Sequence, residues 1–213
     1  MKKILIILSV FAIVLTGCVK DPDPVSTVVT VTHPGITLNG PAFIHLPVGG
    51  SYTEQGAILT DDLSGAQSPI DANSNDLNTS AMGMYKVLYL ARNSNGFKTE
   101  AIRTILVMDY TPPPTLDPNW DISGTYKRSG NTVTIAKVNN GLYIIDKVGG
   151  SSNVPAYILT PDTLSIDIPA QESWDGFPLD CINETFIPGP PIKLTWNVDA
   201  ENFGTQNRTF IKQ

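Results

Sequence analysis

The chain has 213 residues, of which 16% are charged and 41% are hydrophobic, and its formal net charge is −6. This balance is typical of a folded protein and excludes a largely disordered chain. The acidic charge is spread along the sequence without a basic stripe, which argues against nucleic acid as a partner.

The N-terminal residues have the pattern of an export signal. Two lysines precede an apolar run over residues 4–15, which is shorter than the ~20 residues that a membrane-spanning helix needs. The run ends in Leu-Thr-Gly-Cys at residues 15–18, which resembles the bacterial lipobox. We therefore predict a lipoprotein signal peptide over residues 1–17 and a lipid on Cys18 that anchors the protein to a membrane. The alternative is an ordinary secretory signal followed by a chance cysteine.

Residues 18–34 are predicted to be a tether, stiffened by three prolines. The lysine and acidic residues within 20–23 resemble the short signal that sends Bacteroidetes lipoproteins to the outer face of the outer membrane. The resemblance implies that the protein is an outer-membrane lipoprotein that faces the exterior. The run Val25–Thr32 is either a first strand or extended linker.

Prolines and glycines, 17 of each, separate short alternating runs, and no stretch has a sustained helical period. The sequence therefore predicts an all-β fold. A proline-rich linker over residues 111–116 divides it into domains at 35–110 and 117–213. Because lipid occupies Cys18, we expect no intramolecular disulfide, and Cys181 is expected to pack as a small apolar group.

The first domain contains five predicted strands, the last two joined at Asn93–Gly96 into a hairpin because Asn and Gly tolerate positive φ. The strands cover residues 36–38, 43–46, 57–60, 84–92 and 97–108. The long polar segment 63–80 is predicted to be a displayed loop.

Four segments carry a resemblance to a bacterial Ig-like repeat: residues 36–40, 48–57 and 60–62, and the closing pattern over 83–107. Such repeats occur in bacterial adhesins and in some insecticidal crystal proteins. The resemblance implies an Ig-like β-sandwich that serves as a spacer or an adhesive module, and it implies no catalytic residues.

The second domain is predicted to be antiparallel β, either a sandwich or a flattened barrel. Its strands cover residues 125–128, 132–138, 142–148, 156–159, 163–168, 193–198 and 208–211. The segments 120–126, 132–135 and 141–144 resemble the C-terminal domain of Bacteroidetes lipoproteins whose genes often lie beside glycan-uptake systems. That resemblance implies a polysaccharide and an outer-membrane transporter complex as partners. At four strand positions we expect aromatic side chains that pack in the core: Trp120, Tyr126, Tyr143 and Trp196.

The segment 169–191 lacks a strand signal, and long irregular loops are often functional. It carries aromatic and acidic residues that suit sugar binding, because a ring stacks on a sugar and a carboxylate accepts hydroxyl hydrogen bonds. We predict a ligand site at Trp174, Asp175, Phe177 and Asp180. One alternative is that the rings only pin the loop to the domain. Another is that the carboxylates form a glycosidase pair, although no motif supports an enzyme.

The pair Asp61 and Asp62 is either a calcium ligand set or a plain turn. Neither His33 nor His45 has metal-ligand spacing, so we predict no metal and no cofactor.

Together these patterns predict a non-catalytic, glycan-binding or accessory lipoprotein of a polysaccharide uptake system. The alternative is a structural or protein-interaction lipoprotein of the cell envelope that binds no small ligand.

Overall fold

The computed structural model describes residues 31–173, 175–200 and 203–213. The signal peptide, Cys18, residues 18–30 of the tether and Trp174 lie outside the described residues, so the predictions for them stay predictions. Residues Thr32–Gln213 form one compact unit. Within the described part of the chain, no helix is long and apolar enough to cross a membrane.

The described residues form fifteen strands and no helix, which confirms the all-β prediction. In chain order the strands are β1 (Gly35–Leu38), β2 (Phe43–Leu46), β3 (Ala57–Thr60), β4 (Gln67–Ile70), β5 (Ser74–Asn75), β6 (Gly83–Arg92), β7 (Lys98–Val107), β8 (Gly124–Arg128), β9 (Asn131–Asn139), β10 (Leu142–Ile145), β11 (Ala156–Leu159), β12 (Gln171–Glu172), β13 (Pro178–Ile187), β14 (Lys193–Asp199) and β15 (Arg208–Lys212).

The N-terminal half is a sandwich of a three-stranded sheet, β1-β3-β4, and a four-stranded sheet, β2-β7-β6-β5. All pairs are antiparallel except β2, which runs parallel to β7. The two sheets enclose an apolar core, because alternate side chains of each strand face inward. Its fully buried members are Ala57, Val87, Tyr89, Ile105 and Val107.

The segment 63–80 was predicted to be a displayed loop, and this prediction is wrong because it contains β4 and β5. Strand β4 pairs with β3, and β5 pairs with β6. Both lie at sheet edges and most of their side chains are exposed. An exposed edge strand needs no alternating apolar residues, so its sequence looks like a polar loop.

A buried charge network lies inside this sandwich. The Arg103 side chain is fully buried, and its Nε donates to Glu54 Oε1 at 3.1 Å. The Tyr52 and Tyr89 hydroxyls donate to the same carboxylate at 2.7 and 2.6 Å. The other two guanidinium nitrogens, Nη1 and Nη2, donate to the backbone carbonyls of Asn39, Pro41 and Gly56. Every charged group of the network is therefore hydrogen-bonded, as burial requires.

The C-terminal half is one antiparallel sheet of eight strands, in the order β11-β10-β9-β8-β15-β14-β13-β12. The sheet almost closes on itself. Leu159 in β11 forms a bridge with Asp167, and the next residue, Ile168, accepts a 3.3 Å hydrogen bond from the Cys181 N–H of β13. Of the two predicted architectures, a flattened barrel describes this sheet better than a sandwich does.

The core of this barrel-like sheet is rich in aromatic residues. The Trp196 and Phe210 rings stack with centroids 4.3 Å apart. Tyr126, Tyr143 and Trp196 are fully buried, which confirms the core prediction for them. Trp120 is partly buried and packs against the same core.

Two predictions in this half are wrong: a strand over residues 163–168 and a segment without strands over residues 169–191. Residues 163–168 form only the isolated bridge at Asp167, and the segment 169–191 contains β12 and β13. Strand β13 cannot be recognised from the sequence pattern because it contains a bulge. The register between β13 and β14 shifts between Ile182 and Thr185, and Asn183 has φ +58°. A bulge interrupts the two-residue alternation by which a strand is recognised.

The two halves share a small apolar core. Leu106 and Met108 from the N-terminal half pack with Leu142 and Ile144 from the C-terminal half. The Tyr110 hydroxyl also donates to the Asn140 carbonyl at 3.0 Å. The proline-rich linker at 111–116 thus joins halves that contact each other directly.

Candidate ligand-binding site

Three residues of the predicted site are described, Asp175, Phe177 and Asp180, and they lie in and after the turn that joins β12 to β13. The Ser173 N–H donates to the Phe177 carbonyl at 3.0 Å, and the Gly176 N–H donates to the Ser173 carbonyl at 2.9 Å. Asp175 lies at the tip of this turn, with a side chain that is 64% exposed. Its carboxylate forms an ion pair with Lys86 of β6 at 2.9 Å. Asp175 therefore links the turn to the N-terminal half.

Phe177 and Asp180 line different cavities. Asp180 borders a cleft between the two halves, and Phe177 borders a pocket of the C-terminal sheet that also contains two arginines. The structure thus does not bring these two residues into one pocket.

The first cavity, the interdomain cleft, has a volume of about 620 Å³. Its walls are mainly apolar and include Leu106, Met108 and Leu179. Three carboxylates stand among its lining residues: Glu172, Asp180 and Asp199. The cleft is therefore apolar with acidic groups, which disfavours an anionic ligand.

Acidic groups near this cleft influence one another. Asp180 of β13 lies opposite Asp199 of β14 in the sheet register. Burial raises the pKa of Asp167, and the charge of Asp180 raises it further. Burial also raises the pKa of Glu184. Two of the acidic groups thus protonate more readily than ordinary carboxylates.

The second cavity, which we call the arginine pocket, has a volume of about 420 Å³. Its lining combines two guanidinium groups, two aromatic rings and two hydroxyls. The described lining residues are Arg128, Gly149, Ser151, Ser152, Val154, Phe177, Phe203 and Arg208.

Neighbouring strands bring the two arginines together. Arg128 is the last residue of β8 and Arg208 is the first residue of β15, and these strands pair antiparallel. Two glycines make room for the lining side chains. A Cβ on Gly149 would collide with the Phe203 ring, and one on Gly150 would collide with the Arg128 side chain.

The Phe177 and Phe203 rings are tilted against each other, with centroids 5.7 Å apart. The Arg208 guanidinium lies 5.7 Å from the centroid of the Phe203 ring, within cation–π range. Phe177 also packs against the core of the C-terminal half. Phe177 thus lines the pocket, as the sugar hypothesis requires, and it also anchors the turn, as the alternative holds.

Arg208 is only 5% exposed. Its Nη1 donates to the Gln206 carbonyl at 2.8 Å, and its Nη2 donates to the Phe203 carbonyl. Its Nε is buried and has no hydrogen-bond partner among the described residues. Burial lowers the pKa of Arg208, and the nearby positive charge of Arg128 lowers it further.

Sequence reasoning missed the arginine pocket apart from Phe177. The arginines stand eighty positions apart in the chain, and only the pairing of β15 with β8 makes them neighbours. One local signal was present, the Gly-Gly-Ser-Ser run at 149–152, which is a glycine-rich turn with hydroxyls.

The candidate calcium ligands Asp61 and Asp62 form hydrogen bonds with other groups of the protein. Asp61 Oδ1 accepts hydrogen bonds from the backbone N–H groups of Leu63 and Ser64 at 3.1 and 2.7 Å. Asp62 accepts one from the Asn93 side chain at 3.0 Å. The Asp61 contacts are those of the turn alternative, whereas Asp62 bonds to a residue in the turn between β6 and β7.

Comparisons with known proteins identify the N-terminal half. Residues 36–107 match the model of a family described as bacterial surface protein, Ig-like domain. This match and the sandwich confirm the resemblance to a bacterial Ig-like domain. A search of curated proteins finds no match. Among solved structures, a lipoprotein from Bacteroides thetaiotaomicron is similar, with 20% identity and a TM-score of 0.39. The similarity covers 84% of this chain and 100% of that one.

Proposed function

We propose that the protein is a lipid-anchored outer-membrane protein that faces the exterior and binds glycan as an accessory of a polysaccharide uptake system. The single observation that carries the glycan part is the arginine pocket, in which aromatic faces stand beside hydroxyl and guanidinium donors. Aromatic rings stack on the C–H faces of sugars, and the surrounding donors bind sugar oxygens.

The location is supported by the sequence signal at residues 1–18 and by the Ig-like domain. The family that matches residues 36–107 is one of bacterial surface proteins. A lipid on Cys18 would hold the chain at the membrane through its N-terminus. The C-terminal half would then be the part that meets the glycan, and an outer-membrane transporter would receive it.

We propose that binding is not accompanied by hydrolysis. Glycoside hydrolysis ordinarily requires two carboxylates that flank the scissile bond. The described residues that line the arginine pocket include no carboxylate. Incubation of the protein with each glycan that it binds is therefore expected to release no reducing sugar.

The experiment is titration calorimetry of the full mature protein in detergent against a panel of polysaccharides. We expect at least one polysaccharide to bind, and Phe177→Ala to weaken that binding by about tenfold, because the ring loses its stacking contact. Phe186→Ala is the matched control. Phe186 is also partly buried against the C-terminal core, but it packs on Trp120 outside the pocket. Equal affinity for both variants would contradict the site, and no binding to any polysaccharide would contradict the function.

A protein-interaction role is the second candidate. It is favoured by Met82, which is 66% exposed and borders the apolar interdomain cleft. Large exposed apolar side chains beside a groove are typical of contact surfaces. If no polysaccharide binds and cross-linking in cells joins the protein to an envelope protein through this cleft, the second candidate replaces the first.

A further inference from the structure

We infer that the arginine pocket recognises an acidic group of its ligand, so that the glycan is an acidic polysaccharide bearing carboxylate or sulfate groups. This inference rests on the proposed function and specifies its substrate class.

The first argument is the balance of charge in the pocket. Arg128 and Arg208 contribute two positive charges, and no acidic side chain is among the described lining residues. Within the described chain, ion pairs occupy Lys86, Arg103 and Lys147, but neither pocket arginine. The pocket is thus a concentrated positive charge on a protein whose net charge is −6.

The second argument is the buried arginine. Charged side chains are almost never as buried as Arg208 unless an opposite charge pairs with them. The other deeply buried arginine, Arg103, has such a partner in Glu54. Arg208 is bonded only to neutral carbonyls, and its Nε is left without a partner in the described structure. An anion in the pocket would supply the opposite charge with which Arg208 could form an ion pair.

The third argument is the set of donors that line the same pocket as the arginines. The loop after β10 places Ser151 and Ser152 on the pocket wall. Beyond their hydroxyls, the backbone N–H groups of these serines donate to no described residue. Hydroxyl and backbone N–H groups on a pocket wall can donate hydrogen bonds to oxyanion ligands. Guanidinium groups bind carboxylate and sulfate oxygens through charge-assisted hydrogen bonds.

The aromatic rings distinguish an acidic sugar from a small free anion. Phe177 and Phe203 bring two partly buried aromatic rings to the pocket. An aromatic ring can stack on a pyranose ring, whereas a bare inorganic anion has no apolar surface for such a contact. The interdomain cleft, by contrast, has three carboxylates among its mainly apolar lining residues and would repel an acidic chain. An acidic polysaccharide is therefore expected to bind at the arginine pocket and to avoid the cleft.

The test compares polymers that differ only in charge. Calorimetry of the full mature protein in detergent is carried out with polygalacturonate and with its methyl-esterified form, and with carrageenan, a sulfated galactan, and its desulfated, neutral form. We expect the charged member of at least one pair to bind about tenfold more tightly, and its affinity to fall as salt rises. The preferred pair shows whether carboxylate or sulfate is the group recognised.

The variant is Arg128→Gln, because Arg208 also holds the carbonyls of its own loop and its removal would disturb the fold. We expect Arg128→Gln to abolish the preference for the charged polymer, and Arg128→Lys to restore part of it. Lys127→Gln is the matched control, since Lys127 lies on the same strand but outside the pocket lining. Equal melting temperatures of the variants establish that they are folded.

The outcomes separate the two proposals. If neutral and charged polymers bind equally, and Phe177→Ala weakens both, the glycan function stands and the acidic specificity is wrong. If Arg128→Gln behaves like Lys127→Gln, the specificity is also wrong. If inorganic sulfate binds through Arg128 while no polymer binds, the pocket takes a small anion and both proposals are overturned.

Discussion

Replacing Arg103 with methionine would remove the buried partner of Glu54 while keeping most of the aliphatic volume of the side chain. In the native protein Arg103 is fully buried and bonds to one carboxylate and three backbone carbonyls. The variant leaves a largely buried charge unpaired and three carbonyls without this donor. Removing one member of a buried pair typically costs ~3–5 kcal/mol, a large share of the ~5–15 kcal/mol that stabilises a whole domain.

The assay is urea denaturation of residues 19–213, followed by tryptophan fluorescence and circular dichroism. With a slope of ~2 kcal/mol per M, a loss of ~4 kcal/mol lowers the midpoint by ~2 M. Arg92→Met is the control: Arg92 is exposed, and among the described residues its side chain bonds only to the Gly96 carbonyl, so its loss is expected to cost less than ~0.5 kcal/mol. The double variant Glu54→Gln/Arg103→Met is expected to be more stable than Arg103→Met, because it no longer buries an unpaired charge. A midpoint for Arg103→Met within ~0.5 M of the wild type would refute this reasoning.

Two further predictions concern ionisation. Burial alone would raise the pKa of Glu54, but hydrogen bonds from Tyr89, Tyr52 and the Gly56 N–H and the charge of Arg103 together lower it below its ordinary value. The Glu54 carboxylate therefore stabilises the fold fully above its unfolded pKa, and this contribution is lost as the pH falls through the lowered folded pKa. The difference in unfolding free energy between wild type and Glu54→Gln should shrink on acidification below pH 4, and a constant difference would contradict the assignment. Burial, with the charges of Glu184 and Asp180, raises the pKa of the Cys181 thiol to about 12. We expect a thiol reagent at pH 8 to modify Cys181 only after unfolding, and rapid modification of the native protein would show that this side chain is accessible.

Local sequence signals predicted those strands that carry their own pattern. The hairpin of β6 and β7 has alternating apolar residues on both strands and an Asn-Ser-Asn-Gly turn between them. The hairpin of β9 and β10 has Asn-Asn-Gly at its turn, and β3 and β11 were predicted to the residue. In each case neighbouring residues in the chain contain the information, because turn chemistry and a half-buried face are local properties.

Strands at edges or with irregular register were missed. Strands β4 and β5 are exposed edges, and β13 is bulged at Asn183, so none of them shows the alternation of a half-buried strand. Their existence depends on backbone pairing with a neighbour that the sequence does not identify. The same limit affected the predicted ligand site, which was treated as one loop although Phe177 and Asp180 face different cavities.

The sequence by itself determined the all-β class and the Ig-like character of residues 36–107, and it predicted the lipid anchor at Cys18, because each depends on residues close together in the chain. The tertiary structure decided the near-closure of the C-terminal sheet, the apolar contact between the halves and the arginine pocket. The pocket depends on Arg128, Arg208 and the turn at Phe177, which lie far apart in the chain. Only the pairing of β15 with β8 and the curl of the sheet bring them together. In the sequence Arg208 looks like any other arginine, whereas in the fold it is buried and its Nε has no partner among the described residues.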